Sequence, residues 1–490
     1  MTSASPFRVP MPGESCAILG LGISNRELAA YLARRGVRIC IYDQKSPEEL
    51  GPRWDSVSDL VEGASLGSDY LAAFDRDLEG CGFDWVFVTP GMPRDLPQIR
   101  RAALAGSEIS GELALFMILC PAPMMGVTGS SGKTTTTSLV AEMLRCDGRR
   151  VWLGGNIGTP LIDWVDDIDP DHVVVLEMSS FQLETASRVP QVGAVLNISP
   201  DHLDVHRSMD HYVRAKARMV RCQEPGDYIA LGADCRYTRD LASSAPGDVA
   251  FFSVRDTPDT WSGRFPLKAW YEEGRLWVRG PEDTINLCAT SDLPLRGMHN
   301  VSNTLAAALV ALRMGVSVES IRRGIRRFTP VRHRLEEVGE IGGVLFVNDS
   351  IATSPDRTAA ALHSYDRPVV LILGGYNKGL SFDRLARQLS EMTGRGCIRA
   401  VILMGEAAGE IEAALRREAD WGHILYRAGD LERAFNAARG IARAGDVVLM
   451  SPACASFDAF ANYMRRGDCF RSMVQRARAG ERADGDGSGH

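Results

Sequence analysis

Between Met124 and Thr137 the chain reads MMGVTGSSGKTTTT, and these are residue types that hold phosphate. Small residues let backbone N–H groups close on phosphate oxygens, and a helix starting there adds its positive dipole end. The segment Thr128, Gly129, Ser130, Ser131, Gly132, Lys133, Thr134 fits TGxxGKT, with Thr135 continuing into the helix. Lys133 is placed to neutralise β- and γ-phosphates, and the Thr134 hydroxyl to sit on Mg²⁺. The strict GxxxxGK[ST] spacing is not met, because Val127 stands where its first glycine belongs. Two further candidates fall at strand ends, where open parallel sheets bind ligands. The β-branched run His172 to Leu176 predicts a buried strand that delivers Glu177, an oxygen ligand suited to Mg²⁺. The run Val192 to Asn197 delivers ISPDHLD, which puts His202 beside two aspartates. Because Mg²⁺ prefers oxygen, residue type alone leaves a metal role for His202 open. Lys216 lies among Arg214, Arg218 and Arg221 on a helix over 211–222, which reads as a solvated basic face.

These residues need a scaffold of alternating strands and helices. From Ser15 an apolar strand meets Gly20-Leu21-Gly22, then a helix to about Arg35 and a second strand ending at Asp43. That is a βαβ unit of nucleotide-binding type, although Asn25 replaces the third glycine of a dinucleotide fingerprint. The strand Trp85 to Val88 runs into a further ligand-facing turn at Thr89-Pro90-Gly91. Residues 227–294 read as short alternating strands extending the central sheet, without a legible motif. Asn303 precedes an alanine-rich helix over 304–314, where asparagine serves as a cap or touches a purine edge. Later strands at 344–347, 369–373, 400–404 and 447–450 end in NDS, GGYNKG, GE and SPACASFDAF. The alternation predicts a doubly wound parallel sheet in this α/β unit. The polar residues after Gln475 read as a disordered tail.

At 490 residues the chain exceeds one ordinary core. The expected organisation is α/β throughout. A Rossmann-like domain takes 1–110, a central P-loop domain 111–329 and a doubly wound domain 330–490, with proline turns near both boundaries. A net charge of −7 argues against nucleic acid as partner. Eleven dispersed cysteines without a CxxC pair fit a reducing compartment. No signal-peptide pattern is expected, and the apolar stretch Leu113 to Val127 is broken by Pro121 and Pro123, too short to span a bilayer. A cytoplasmic protein without membrane insertion is the expectation.

Taken together, the motifs TGSSGKTTT, GGNIGTP, LEMSSFQLE, NISPDHLD, YVRAKARM, GMHNVSN, HRLE, NDSIAT, GGYNKG and SPACASFDAF resemble, in content and order, the Mur ligases. LEMSSFQLE and SPACASFDAF favour the glutamate-adding member. The resemblance implies a carbon–nitrogen ligase of peptidoglycan precursor synthesis, working as a monomer through an acyl phosphate. Its substrates would be ATP, D-glutamate and UDP-N-acetylmuramoyl-L-alanine. It implies Lys133 on the γ-phosphate, Thr134 and Glu177 on one Mg²⁺, and His202 with a carbamylated Lys216 at a second. By the same resemblance Asn303, Arg334 and Asp349 contact ATP, and Asn156, Ser179 and Gln182 contact the muramoyl substrate. Gly22 and Asp43 line a uridine pocket, while Thr353, Lys378, Ser456 and Tyr463 hold the incoming glutamate. ATP binds between domains, so closure of the C-terminal domain is expected to complete the site. One departure is Ile351, where the family's NDSKAT has lysine; Lys378 or Arg357 would then have to supply the cation. An L-glutamate-adding variant and a folylpolyglutamate-synthetase-like ligase are the nearest alternatives. A nicotinamide oxidoreductase on the glycine turn, or a non-catalytic nucleotide switch, would leave Lys133, His202 and Lys216 without a common task.

Overall fold

The computed structural model describes residues 7–80, 82–200, 206, 208–257, 267–280, 283–294, 297–329, 332–362, 364–365 and 367–486, with side chains to 479. By contact density the chain divides into two compact units, Met1–Asp292 with Ser302–Arg327, and Leu293–Val301 with Phe328–His490.

The first unit carries two sheets. Strands β1 (Ser15–Leu19), β2 (Arg38–Asp43), β3 (Gly63–Leu66), β4 (Trp85–Val88) and β5 (Glu108–Ser110) pair in the order β3-β2-β1-β4-β5, all parallel. The strand order reverses between β1 and β4, the place where such sheets bind ligands beyond their carboxyl ends. The second sheet is built from β6 (Met124–Thr128), β7 (Val151–Gly155), β8 (Val173–Glu177), β9 (Val192–Val195), β10 (Tyr228–Gly232), β11 (Asp248–Ser253), β12 (Lys268–Glu272), β13 (Arg275–Arg279) and β14 (Thr284–Ala289). Their order is β14-β13-β12-β11-β10-β9-β6-β8-β7. It is parallel from β7 through β12, and the stretch 227–294 extends it, ending in an antiparallel meander. The inner strands β6, β8 and β9 are buried throughout, apolar but for Thr128 and Glu177 at the ends of β6 and β8, as strands covered on both faces require.

The second unit holds β15 (Glu336–Ile341), β16 (Val344–Asn348), β17 (Val369–Gly374), β18 (Ile398–Met404), β19 (Leu425–Gly429) and β20 (Val447–Met450), ordered β15-β16-β20-β17-β18-β19. Two expectations need correction here. The sheet is not purely parallel, since the charged strand EEVGEI pairs antiparallel to β16 at its edge. Nor are residues 476–486 structureless: one helix runs Tyr463–Asp486. Its residues Phe470, Met473, Val474 and Ala477 lie on one face against the sheet, and the arginine, alanine and glutamate beyond them are good helix formers.

Among the described residues no helix is long and apolar enough to cross a membrane, and the ten described cysteines are free.

Candidate active site at the end of the central sheet

The register of the central sheet assembles the site. Strand β6 lies between β8 and β9, with Val127 opposite Glu177 and Thr128 opposite Val195. Val127 is therefore a buried strand residue and not part of the loop, which begins at Gly129. Gly132 has φ +88° and caps the helix Lys133–Cys146. A Cβ there would stand 2.2 Å from the Asn303 Oδ1, so this position requires glycine on two counts. The loop is held from outside. Asn197 accepts the Ser131 N–H at 2.9 Å and donates to the Ser131 carbonyl at 3.1 Å. The Ser130 hydroxyl donates to the Ser199 carbonyl at 2.9 Å and lies 3.0 Å from the Tyr212 hydroxyl. Thr128 and Thr135 are buried beneath it, and the Thr128 hydroxyl has no hydrogen-bond partner among the described residues.

The chemically active groups converge on this loop. Thr134 donates from its hydroxyl to Glu177 Oε2 at 2.6 Å, and Asn156 donates to Glu177 Oε1 at 2.9 Å. The Lys133 ammonium turns back on the Gly129 and Ser130 carbonyls at 2.9 and 3.2 Å. Lys216 also donates to the Gly129 carbonyl, at 2.9 Å, from across the site. It is only 1% exposed and its ammonium lies 4.7 Å from the centre of the Tyr212 ring. The solvated reading of this helix holds for Arg214 and Arg221 and fails for Lys216. The helix Met209–Arg221 buries one face, and Lys216 falls on it with Tyr212, Met219 and Val220. His202 lies outside the described residues.

Two residues beyond Glu177, Ser179 caps the helix Ser180–Glu184. Its hydroxyl accepts the Gln182 N–H at 3.2 Å while Gln182 Oε1 accepts the Ser179 N–H at 3.0 Å. In the first sheet, Gly22 starts the helix Ile23–Arg34 with no side-chain cap. Asp43 spends both oxygens on the backbone, accepting from Leu21 N–H at 2.6 Å and Lys45 N–H at 2.8 Å. A Cβ on Gly20 would meet Thr89 Cγ2 at 2.6 Å, so the turns after β1 and β4 face each other at the switch point.

In the second unit Asp349 directly follows β16 and is buried, accepting from the Ser451 hydroxyl at 2.7 Å and the Leu335 N–H at 3.2 Å. Burial pushes its carboxyl up to about 6 against the pull of these bonds and of the Arg334 and Arg357 charges. The half-buried Arg334 also feels His299, whose burial lowers its imidazole to about 4. Thr353 donates its N–H to the Ile351 carbonyl at 2.9 Å, and Arg357 reaches that carbonyl at 3.1 Å. A guanidinium thus sits beside the position where the family has a lysine. Lys378 lies 5.5 Å from the centre of the Phe457 ring, Ser456 is buried, and the Tyr463 carbonyl accepts the Ser350 hydroxyl at 2.7 Å.

Arg466 escaped the sequence reading. It is 1% exposed and donates to Ser350 Oγ and to the Ser350, Cys454 and Ala455 carbonyls at 2.9 to 3.1 Å. It ties the NDS turn to the SPACAS turn. The available signal was its place on the apolar stripe of its helix, four residues before Phe470.

The raised Asp349 has a consequence for stability. A folded-state carboxyl titrating above its unfolded value holds its proton more tightly when folded. Stability is then greatest below about pH 4 and declines as pH rises through about 6, by about 2–3 kcal/mol for this group. Asp349→Asn should flatten that segment of a urea-midpoint profile; an unchanged slope between about pH 4 and 6 would contradict it.

The Mur ligase middle-domain family description matches residues 127–311, and the description Mur ligase, glutamate ligase domain matches 333–454. The UDP-N-acetylmuramoylalanine–D-glutamate ligase of Symbiobacterium thermophilum is 43% identical over 463 residues, covering 94% of this chain and 98% of that protein. The ligase of the same name from Clostridium kluyveri is 40% identical over 460 residues, covering 93% and 95%. Among solved structures, the UDP-N-acetylmuramate-alanine ligase of Thermotoga maritima superposes with TM-score 0.56 at 18% identity, over 95% of this chain and all of that one. A pseudomurein peptide ligase of Methanothermus fervidus gives 0.53 at 17% identity, over 89% and 96%. The structural likeness gives the three-domain fold. With near full-length relatives at this identity, the chain belongs to the Mur ligase family.

Proposed function

We propose that this chain is a cytoplasmic, monomeric, ATP-dependent ligase that joins D-glutamate to UDP-N-acetylmuramoyl-L-alanine. The observation that carries the reading is the meeting of Lys133 and Lys216 on one loop carbonyl beside the Thr134–Glu177 pair. Its relatives over almost the whole chain bear that ligation in their names. In the reaction a substrate carboxylate oxygen attacks the γ-phosphorus and ADP leaves. The glutamate amine then attacks the acyl carbon, loses a proton, and phosphate leaves.

The Lys133 ammonium on neutral loop carbonyls favours an incoming anion, and a γ-phosphate answers that field. Lys133 swings from the loop carbonyls to the phosphate. Thr134 and Glu177 offer the hard oxygen donors that Mg²⁺ takes, and their short mutual hydrogen bond is the contact an ion would replace. Lys216 as an ammonium is no ligand. Carbamylated, it becomes carboxylate-like, and with His202 it would hold a second ion. Bound Mg²⁺ supplies charge neutralisation on the transferring phosphoryl group. Asn156 fixes the Glu177 carboxylate. Asn303, Arg334 and Asp349 are proposed ATP contacts. Ser179 and Gln182 are proposed to meet the muramoyl group, Gly22 and Asp43 the uridine. Thr353, Lys378, Ser456 and Tyr463 are proposed to hold glutamate, with Arg357 offering the cation that Ile351 cannot.

Phosphate release from ATP with UDP-N-acetylmuramoyl-L-alanine tests the reading. Release is expected with D-glutamate and not with L-glutamate. Release with L-glutamate alone would overturn the stereochemical assignment, and none with either would overturn the ligase.

A further inference from the structure

Glu184, His206 and His211 gather into a cluster to which the ligation chemistry assigns no role, with Glu184 and His211 on helices that also carry Gln182 and Lys216. Glu184 ends the helix Ser180–Glu184, and His211 lies in the first turn of the helix that carries Lys216. The Glu184 Oε1 stands 3.1 Å from His211 Nε2 and 3.4 Å from His206 Nδ1, and all three atoms lie within 4.8 Å of one another. That oxygen is buried and accepts no hydrogen bond of good geometry.

The remaining ring nitrogens fix how these atoms present themselves. His211 Nδ1 lies 2.8 Å from the His206 carbonyl, which can only accept, so this nitrogen carries the proton. Its Nε2 faces the Glu184 carboxylate oxygen, and either a proton or a metal cation must lie between the two. His206 Nε2 is 2.8 Å from the Ser180 hydroxyl, which leaves Nδ1 directed at the same oxygen. The His206 ring is 1% exposed and stacks on Phe181 at 4.7 Å, 5° from parallel, so its direction is set by packing. Outer hydrogen bonds of this kind are what orient imidazole ligands around a metal.

The spacing agrees. Ligand bonds of about 2.0–2.1 Å in a tetrahedron put donor atoms about 3.3–3.4 Å apart. Of the two Glu184 distances, 3.4 Å falls at that edge length and 3.1 Å lies just inside it. We propose that Glu184, His206 and His211 form a site for a divalent transition metal of the zinc class, with water as fourth ligand. Two imidazoles and one carboxylate suit zinc or cobalt and disfavour Mg²⁺. The His211 side chain is 44% exposed, which gives an ion access. The metal clamps the helix after Glu177 to the start of the helix that presents Lys216.

The test uses the full-length chain, stripped of metal with chelator and titrated with Co²⁺. The expected result is uptake of one Co²⁺ with the intense visible bands of four-coordination, displaced by Zn²⁺. His211→Gln should weaken uptake by about 100-fold or more. Ser180→Ala, which removes only the outer hydrogen bond to His206, should weaken it about 10–100-fold. Glu177→Gln should leave the bands unchanged, which separates this site from the phosphate loop. Absence of intense bands in the unaltered chain, or undiminished uptake in a folded His211→Gln or Ser180→Ala variant, would overturn the proposal.

Discussion

Lys216→Ala is expected to lower the rate of phosphate release by about 10²–10³-fold, the scale set by losing one preorganised charged group at a transferring phosphoryl. The side chain is buried and anchored on the Gly129 carbonyl, so alanine removes both a charge and the tie that shapes the loop. These two effects can be separated. If the carbamylated side chain acts as a carboxylate, short carboxylic acids added to the assay should recover part of the rate. If Lys216 only braces the loop, ATP affinity should fall along with turnover and added acids should do nothing. Full activity of the unrescued variant would remove Lys216 from the mechanism.

Arg466→Met should cost about 2–6 kcal/mol of stability in the second unit, as expected when two buried carbonyls lose their donor at about 1–3 kcal/mol each. Burial lowers the guanidinium to about 10, so it stays charged at neutral pH. Its removal leaves the Ser350 and Cys454 carbonyls without that donor, each at a desolvation cost of about 1–3 kcal/mol, while the Ala455 carbonyl keeps the Tyr376 N–H. Arg466→Lys keeps the charge but not the planar fork, and should recover only part of the loss. Amide hydrogen exchange in β16, β17 and β20 would report the change. Protection unchanged to within about 1 kcal/mol in the methionine variant would rule the network out as a stabilising element.

The parts of this molecule legible in its sequence are those with local causes. Glycines at fixed intervals after an apolar run revealed the loop at Gly129 and the turn at Gly20. Continuous β-branched runs revealed β8 and the strands of the second unit, and so the strand-end positions of Glu177 and Asp349. What depends on distant partners was hidden. Lys216 has the same neighbours in sequence as a surface lysine, and only the packing of its helix against β9 and the loop buries it. Strand β15 reads as charged and polar because it is an edge, with a solvated face and no alternating apolar signal. The final helix looked like a tail because its anchoring face thins out toward the end. Val127, which appeared to spoil a glycine pattern, belongs to the strand below the loop and obeys the rules of a core.

The bracing of the phosphate loop also bears on how the chain is made. Ser131, Ser130 and Gly129 find their partners at Asn197, Ser199, Tyr212 and Lys216, which lie 66, 69, 82 and 87 residues further along. Synthesis adds roughly 5–20 residues per second, so the ribosome spends on the order of several seconds between the loop and the last of its supports. Throughout that interval the nascent chain carries every residue of the phosphate motif without the strand and helix that give it shape. The native shape of the loop therefore forms late, when β9 has paired with β6 and the following helix has docked. Translation stalled before Lys216 would release a chain with the motif and without that shape.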